Sequence, residues 1–185
     1  MQSVSHIFGG EAKVKIMRLF IFNPGLTFTS AEVANRAKER LSTARRELSI
    51  LTKAGLIKQR TRGFLLDSSY PYLPAIENFL IDATPITSKE IIKKISRAGN
   101  IKLILISGVF LHDHDSRVDI LVVGDHLRQA RLLSIMSSIE ALLGKELRYA
   151  AFETTDFQYR LGIYDKLIKD ILDYQHEKIL NKLGI

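Results

Sequence analysis

The first third of the chain has apolar residues at helical spacing, interrupted by strong helix breakers. Apolar side chains follow a helical repeat over residues 10–22, and Asn23-Pro-Gly is expected to end this helix. Thr29 and Glu32 have the spacing of a capping box, in which each side chain accepts a hydrogen bond from the other residue's backbone N–H. A second, shorter helix is therefore predicted from this box to about Lys38.

A third helix is predicted over residues 43–54, with Ser42 as its N-terminal cap and Gly55 just beyond its end. Three apolar residues at i, i+4 and i+7 form the face that should be buried, namely Ala44, Leu48 and Leu51. The remaining faces of this helix are polar or basic, so it should lie on the surface of the module.

A hairpin is predicted next. Two short strands over residues 57–60 and 64–66 flank Thr61-Arg62-Gly63, which supplies the turn. The segment 67–74 is rich in turn residues and marks the expected end of the module. Residues 1–66 should therefore fold as three helices followed by a hairpin.

Beyond this boundary, helices and apolar strands alternate. The predicted helices cover residues 74–81, 87–97, 125–143 and 157–174. The predicted strands cover residues 102–107, 119–123 and 146–152. The side of the third of these helices expected to be buried consists of Leu127, Ala130, Ile135, Ile139 and Leu142. We expect the α+β class, with residues 67–99 as a helical linker and residues 100–185 as an α/β domain with a small mixed sheet.

The excess of positive charge is confined to the first 66 residues. That segment holds 12 Lys and Arg against 4 Asp and Glu, a net charge of +8, whereas the other 119 residues hold 15 against 16. Much of a protein's affinity for DNA comes from local neutralisation of phosphates, so a surplus concentrated on one module favours DNA over a generally basic surface. We therefore expect double-stranded DNA as the partner of this module.

The third helix has the side chains that a DNA-reading helix needs. Short polar groups let a helix approach the base edges, and arginine can bond two acceptors of guanine. The residues expected to face DNA on this helix are Ser42, Thr43, Arg45, Arg46, Ser49 and Lys53. The hairpin is expected to contact phosphates or the minor groove through Lys58, Arg60 and Arg62.

The segment 42–59, with Arg45-Arg-Glu-Leu48 and Leu51-Thr-Lys-Ala-Gly-Leu-Ile57, resembles the winged helix-turn-helix regulators of bacteria and archaea. The resemblance covers roughly residues 10–66. It implies a winged helix over residues 1–66 that binds an operator, usually as a symmetric dimer. Winged helices also serve as protein-interaction modules, but the basic helix and hairpin favour DNA.

Two short motifs in the C-terminal half stand where a strand ends and the next begins. Ser107-Gly-Val-Phe110 follows one predicted strand, and Arg117-Val-Asp119 enters the next. This arrangement resembles the small nucleotidyltransferases, in which a Gly-Ser turn holds a nucleoside triphosphate. In that family an Asp-x-Asp pair and a later carboxylate hold two magnesium ions. By position, Gly108 matches the glycine and Asp119 the second aspartate.

The chain departs from that signature at two positions. Val109 stands in place of the serine and Arg117 in place of the first aspartate, while Glu153 is the best candidate for the later carboxylate. Mg²⁺ requires hard oxygen ligands, which a guanidinium does not supply. We expect a catalytically degenerate domain with no catalytic residues, and only weak nucleotide binding through Gly108, Arg117 and Asp119. The alternative is an active metal-dependent nucleotidyltransferase that modifies a protein or small molecule.

Other features exclude several function classes. The chain has no cysteine, and therefore no disulfide and no thiolate zinc site. Its apolar runs are too short to span a bilayer and its N-terminus lacks a secretory pattern, so we expect a cytoplasmic protein without membrane contact. In His112-Asp-His-Asp115 the alternation points neighbouring side chains to opposite sides, which favours a solvated loop over a metal site. No metal or other cofactor is expected.

The closing segment is more apolar than a three-stranded sheet requires. Packing within the domain and a dimer interface both explain this surplus, and a dimer would suit a symmetric DNA reader. The sequence thus predicts a dimeric DNA-binding transcriptional regulator. Its C-terminal domain would dimerise, sense a nucleotide or small-molecule effector, or do both.

Overall fold

The computed structural model describes residues 2–83, 85–111, 113 and 115–185. It shows a mixed α+β protein with two small sheets, which confirms the expected class. The chain divides into two compact units, one of residues 1–86 and 137–145 and the other of residues 87–136 and 146–185. The helices within the described ranges include none that is long and apolar enough to cross a membrane.

The N-terminal unit consists of helices around one apolar core, with a hairpin at the surface. Its elements are α1 (Gln2–Ile7), α2 (Glu11–Ile21), α3 (Ser30–Ala37), α4 (Leu41–Lys53), β1 (Ile57–Arg60), β2 (Gly63–Leu66) and α5 (Leu73–Asp82). Its core includes Ile16, Phe20, Val33, Leu48 and Leu80, all at most 1% exposed. The predicted capping box of Thr29 and Glu32 is confirmed at the start of α3.

The start of α4 differs from the prediction, but its end agrees. Ser42 is not the cap: the helix begins at Leu41, and its N-cap residue Arg40 makes no side-chain capping hydrogen bond. At the other end, Gly55 adopts φ +81°, and the N–H groups of Gly55 and Leu56 donate to the carbonyls of Thr52 and Leu51. These two bonds form a Schellman motif, which fixes where the hairpin leaves the helix.

A buried arginine ties α5 to α2. Arg18 is 4% exposed, and its guanidinium donates to the carbonyl oxygens of Leu80 and Ala83 at the C-terminal end of α5. Burial lowers the pKa of Arg18 to about 10, so the side chain stays charged at neutral pH. A cation at a helix C-terminus interacts favourably with the helix dipole, so this contact stabilises α5 within the N-terminal unit.

The C-terminal unit is built on a four-stranded mixed sheet. Its elements are α6 (Ser88–Ile95), β3 (Asn100–Ile106), β4 (Ile120–Asp125), β5 (Tyr149–Glu153), α8 (Thr154–Gly162), α9 (Lys166–Asp173) and β6 (Glu177–Asn181). Helix α7 (Gln129–Leu143) passes from this unit into the N-terminal one. The strand order is β5-β4-β3-β6, and β5 runs parallel to β4 whereas the other pairs are antiparallel.

Two predictions for this region are wrong, and one strand was not predicted. The closing helix is broken: Tyr164 adopts φ +56° between α8 and α9, and the Asp165 carboxylate caps α9. Strand β6, for which the sequence analysis predicted no element, forms by antiparallel pairing with β3. The buried stripe of α7 is displaced from the predicted one, of which Ile139 alone is buried and Ala130 is exposed. The buried residues of α7 are Leu132, Met136, Ile139, Ala141 and Leu143.

Candidate nucleic-acid interface

One face of α4 is free of core packing. Ala44, Leu48 and Leu51 are buried as predicted, at 0%, 1% and 4% exposure. The residues predicted to face DNA are exposed on this helix, except that Thr43 is half-buried. The exposed ones are Ser42, Arg45, Arg46, Ser49 and Lys53. The helix therefore presents a polar and basic surface.

The hairpin is held by close approach of the backbone to the α2–α3 connection. Arg60 pairs with Gly63, so the turn consists of Thr61 and Arg62. Phe28 adds a bridge to Phe64, with N–H to O distances of 2.9 and 2.8 Å. Gly63 has φ +139°, and a Cβ there would collide with the Phe28 carbonyl. This close fit fixes the position of the hairpin. Its side chains Lys58, Arg60 and Arg62 are exposed.

The four acidic residues of the first 66 are all engaged. Glu11 and Glu39 both contact the ammonium group of Lys15, at 2.8 and 3.1 Å. Glu47 is buried and lies 2.8 Å from the Arg46 guanidinium and 3.7 Å from the Lys13 ammonium. The fourth acid, Glu32, caps α3, and its backbone and side-chain bonds to Thr29 lower the pKa of the carboxyl group.

Among the described side chains of residues 1–66, the exposed cations that have no acidic partner lie in three neighbouring segments. These segments are the α3–α4 turn, α4 and the hairpin. The six cations are Lys38, Arg40, Arg45, Lys53, Arg60 and Arg62. Sequence reasoning missed Lys38 and Arg40, although their place just before a basic helix was a usable signal.

Lys58 differs from the other predicted contacts of the hairpin. Its ammonium group lies 2.8 Å from the Asp67 carboxylate. Hydrogen bonds from Lys58 and from the Ser69 side chain lower the pKa of Asp67 to about 2. Lys58 is therefore partly neutralised by its neighbour, whereas Arg60 and Arg62 are not.

The N-terminus of α4 carries a further positive potential. Helix α3 satisfies its free N–H groups with a capping box, but α4 has no side-chain cap and no acidic residue in its first turn. Unsatisfied N–H groups and the helix dipole both attract anions. The end of α4 that carries Ser42 and Arg45 is therefore suited to contact a phosphate or a base acceptor.

In the C-terminal unit, Asp119 is buried and hydrogen-bonded within the fold. It is 3% exposed; Oδ1 accepts from the Val109 N–H at 2.9 Å and Oδ2 from the Arg148 N–H at 2.8 Å. The Arg148 guanidinium also lies 3.2 Å from Oδ1. Gly108 has φ +54° and leaves no room for a Cβ beside the same carboxylate. Gly108 and Asp119 thus meet, but both carboxylate oxygens are already occupied.

The other two residues of the motif comparison lie apart from Asp119. The Arg117 guanidinium pairs with Asp170 of α9 at 3.2 Å. The Glu153 carboxylate accepts from the N–H groups of His126 and Leu127. Because Ile120 pairs with Tyr149 and Gly124 with Glu153, Glu153 lies roughly 13 Å from the Asp119 end of the sheet. Glu153 therefore does not complete a carboxylate cluster with Asp119.

Arg148 and Asp170 are the partners that sequence reasoning missed. They lie 29 and 53 residues from Asp119 and Arg117, and no local pattern marks them. Among the described residues, no group of three or more His, Asp or Glu side chains is placed to hold a metal ion. Two residues of the loop motif, His112 and His114, lie outside the described residues.

Comparisons with family models, with curated proteins and with solved structures find no match to this chain.

Proposed function

We propose that the protein is a DNA-binding transcriptional regulator whose N-terminal unit is a winged helix. The observation that carries the proposal is the placement of the six unpaired cations on the α3–α4 turn, α4 and the hairpin. These are the elements that meet DNA when a helix-turn-helix docks and its wing lies against the backbone. The acidic side chains of the first 66 residues pair with other cations or cap α3, and none of their described ion pairs is with these six cations, which therefore keep their charge available.

In this proposal the two parts of the surface have different roles. Helix α4 enters the major groove, where Arg45 and Ser49 reach base edges and the uncapped N-terminus approaches a phosphate. Arg60 and Arg62 contact the backbone beside the site and carry no base preference. Arg45 would therefore set sequence preference, and the hairpin would set affinity.

The C-terminal unit is proposed to be nucleotidyltransferase-like but not catalytic. Two-metal phosphoryl transfer needs carboxylates that are free to bridge the ions. Asp119 instead accepts two backbone N–H bonds and a guanidinium bond, and Arg117 pairs with Asp170. These bonds favour a structural role for the motif, with a nucleotide or small molecule as an effector rather than a substrate.

We also propose that the regulator works as a homodimer through the corner between α8 and α9. Tyr159, Ile163 and Tyr164 are 67%, 56% and 84% exposed there, beside a groove of about 340 Å³. Its rim carries both signs of charge, on Asp165, Lys169 and Asp173. A two-fold axis pairs a patch with itself, and a patch with both signs can be complementary to itself.

Sedimentation of the full chain tests the dimer. The wild type should sediment as a dimer, and Ile163→Ser with Tyr164→Asn should shift it to monomer without loss of folding. A monomeric wild type at the concentrations that bind DNA contradicts this part of the proposal.

Selection of duplexes from a random pool tests the DNA reader itself. Anisotropy titrations should show that the enriched sequence binds at least about a hundredfold more tightly than a scrambled one, and the enriched motif should be palindromic. Equal, weak binding of both sequences that is lost at physiological salt would reject a sequence-specific regulator.

A further inference from the structure

Helix α6 presents a stripe of cations on its solvent face. Its buried side is formed by Ile91 and Ile95, at 1% and 0% exposure. Lys89, Lys93 and Arg97 are exposed and recur at i, i+4 and i+8, with Arg97 just past the helix end. Residues at this spacing share one helix face at intervals of roughly 6 Å. Lys89 and Lys93 are therefore roughly 6 Å apart along the helix, and Arg97 lies in the turn that follows it.

The turn after α6 brings further cations to the end of this stripe. The Arg128 guanidinium donates to the Arg97 carbonyl, and the Arg128 N–H donates to the Ala98 carbonyl at 2.8 Å. Gly99 lies against the backbone of the β4–α7 connection, where a Cβ would come within 2.9 Å of the Asp125 carbonyl oxygen. Arg131, in the first turn of α7, is also exposed. The α6 stripe and these two arginines form what we term the α6 basic surface.

The acidic groups of the same segments do not neutralise this surface. Glu90 is held in the capping box with Thr87. Asp125 lies 3.3 Å from the Asn100 amide and 3.7 Å from the Lys102 ammonium. Glu153 accepts two backbone N–H bonds. Within the described chain, the cations of the α6 basic surface have no ion-pair partner.

We propose that the α6 basic surface binds the sugar-phosphate backbone of a nucleic acid, as a second site separate from the α4–hairpin surface. Duplex DNA carries one negative charge per about 1.7 Å of axis, so cations roughly 6 Å apart on one surface can each meet a phosphate. No large apolar side chain of α6 is exposed within the described residues, so this helix lacks the groups that enter a bilayer. The contact reads no bases and would add affinity on any sequence.

The test compares two double variants of the full chain with the same charge change. Lys89→Gln with Lys93→Gln removes two cations of the α6 basic surface. Lys166→Gln with Lys182→Gln removes two exposed lysines elsewhere in the same unit. Anisotropy with a long mixed-sequence duplex over a salt series should show the slope of log K against log salt falling by about 1.8 for the first variant, and hardly changing for the second.

The same titrations separate this proposal from that of the winged helix. In the background Arg45→Gln, Arg60→Gln and Arg62→Gln, loss of the two α6 lysines should lower the slope by the same further amount. Equal slopes for the two double variants overturn the α6 basic surface, whatever the triple variant does. Unchanged DNA slopes, combined with loss of sedimentation with anionic phosphatidylserine vesicles in the α6 variant alone, would overturn it in favour of a membrane.

Discussion

The α4–hairpin surface and the motif at Asp119 use charged side chains in opposite ways. On the first surface, Arg45, Arg60 and Arg62 are exposed and have no acidic partner among the described residues. At the motif, Asp119 is buried and accepts bonds from Val109 and Arg148. The first surface leaves its charges available for a partner molecule. At the motif, the charged groups are instead bonded to each other and to the backbone of the fold.

A charged motif therefore indicates a binding site only when the partners of its side chains are also known. Asp119 matches a metal-binding position by spacing, yet a carboxylate that already holds backbone N–H groups has little capacity left for an ion. Arg45 belongs to no strict motif, but its lack of a partner makes it available for DNA. Each prediction below tests whether a charge is used within the chain or kept for a partner.

The largest effect is expected at Asp119. Asp119→Asn keeps the size of the side chain but removes its negative charge. The Val109 N–H and Arg148 donate their hydrogen bonds to that charged carboxylate. We expect the free energy of unfolding in urea to fall by about 2–4 kcal/mol. Arg117→Gln, two residues earlier, should change it by less than about 1 kcal/mol, because Arg117 is exposed and its pair with Asp170 is weak in water. Equal effects of the two variants would refute a structural role for Asp119.

The next effect concerns the fit of the hairpin. Gly63→Ala places a Cβ against the Phe28 carbonyl at φ +139°, and should destabilise the protein by roughly 1–3 kcal/mol and weaken DNA binding. Gly162→Ala is the control, since nothing lies within 4 Å of a Cβ there. Thermal unfolding of both variants makes the comparison. An unaffected Gly63→Ala protein would mean that the hairpin is not held by the bridge between Phe28 and Phe64.

The adjacent residues Arg45 and Arg46 allow an unpaired arginine to be compared with a paired one. Arg45→Ala should cost about 1–3 kcal/mol of binding free energy on the selected duplex and relax the base preference. Arg46→Ala should cost less, because the Arg46 guanidinium is already bonded to Glu47. Anisotropy titrations at one salt concentration measure both losses. A larger loss for Arg46→Ala would reverse the assignment of the reading side chain.

The smallest effect is a pH dependence at the base of the hairpin. The pKa of Asp67 is about 2 in the folded protein, below its usual 3.8, so the unfolded chain binds this proton first as pH falls. The contribution of the Lys58 pair is therefore complete above about pH 4 and is lost as pH falls toward 2. Asp67→Asn should flatten this part of the stability curve in urea titrations. Parallel curves for variant and wild type would show that the pair does not stabilise the fold.

Local pattern was sufficient for much of the N-terminal unit. The capping box of Thr29 and Glu32, the buried stripe through Leu48 and the end of α4 at Gly55 all depend on residues a few positions apart. The predicted cap at Ser42 is wrong because Leu41 and Ser42 are themselves the first two residues of the helix. The pattern of apolar, polar and basic residues also predicted which segments would be exposed, namely the outer face of α4 and the hairpin. Which of their cations are free was not predictable, since Glu47 and Asp67 act through side-chain geometry.

The C-terminal unit depends more on distant contacts, and its prediction was poorer. Strand β6 forms because it pairs with β3, which lies far earlier in the chain, and no local pattern predicted it. The helix break at Tyr164 requires a left-handed backbone conformation, and no local sequence pattern predicts one at this residue. The partners Arg148 and Asp170 reach the motif only through the sheet and α9.

The most direct test compares free and paired cations of the N-terminal unit at equal net charge. One variant combines Arg45→Gln, Arg60→Gln and Arg62→Gln, and the other combines Lys13→Gln, Arg46→Gln and Lys58→Gln. For each, the slope of log K against log salt is measured by anisotropy on the selected duplex. We expect a slope lowered by about 2.7 in the first variant and by far less in the second. Equal slopes in the two variants, or a wild type whose binding does not depend on salt, would contradict it.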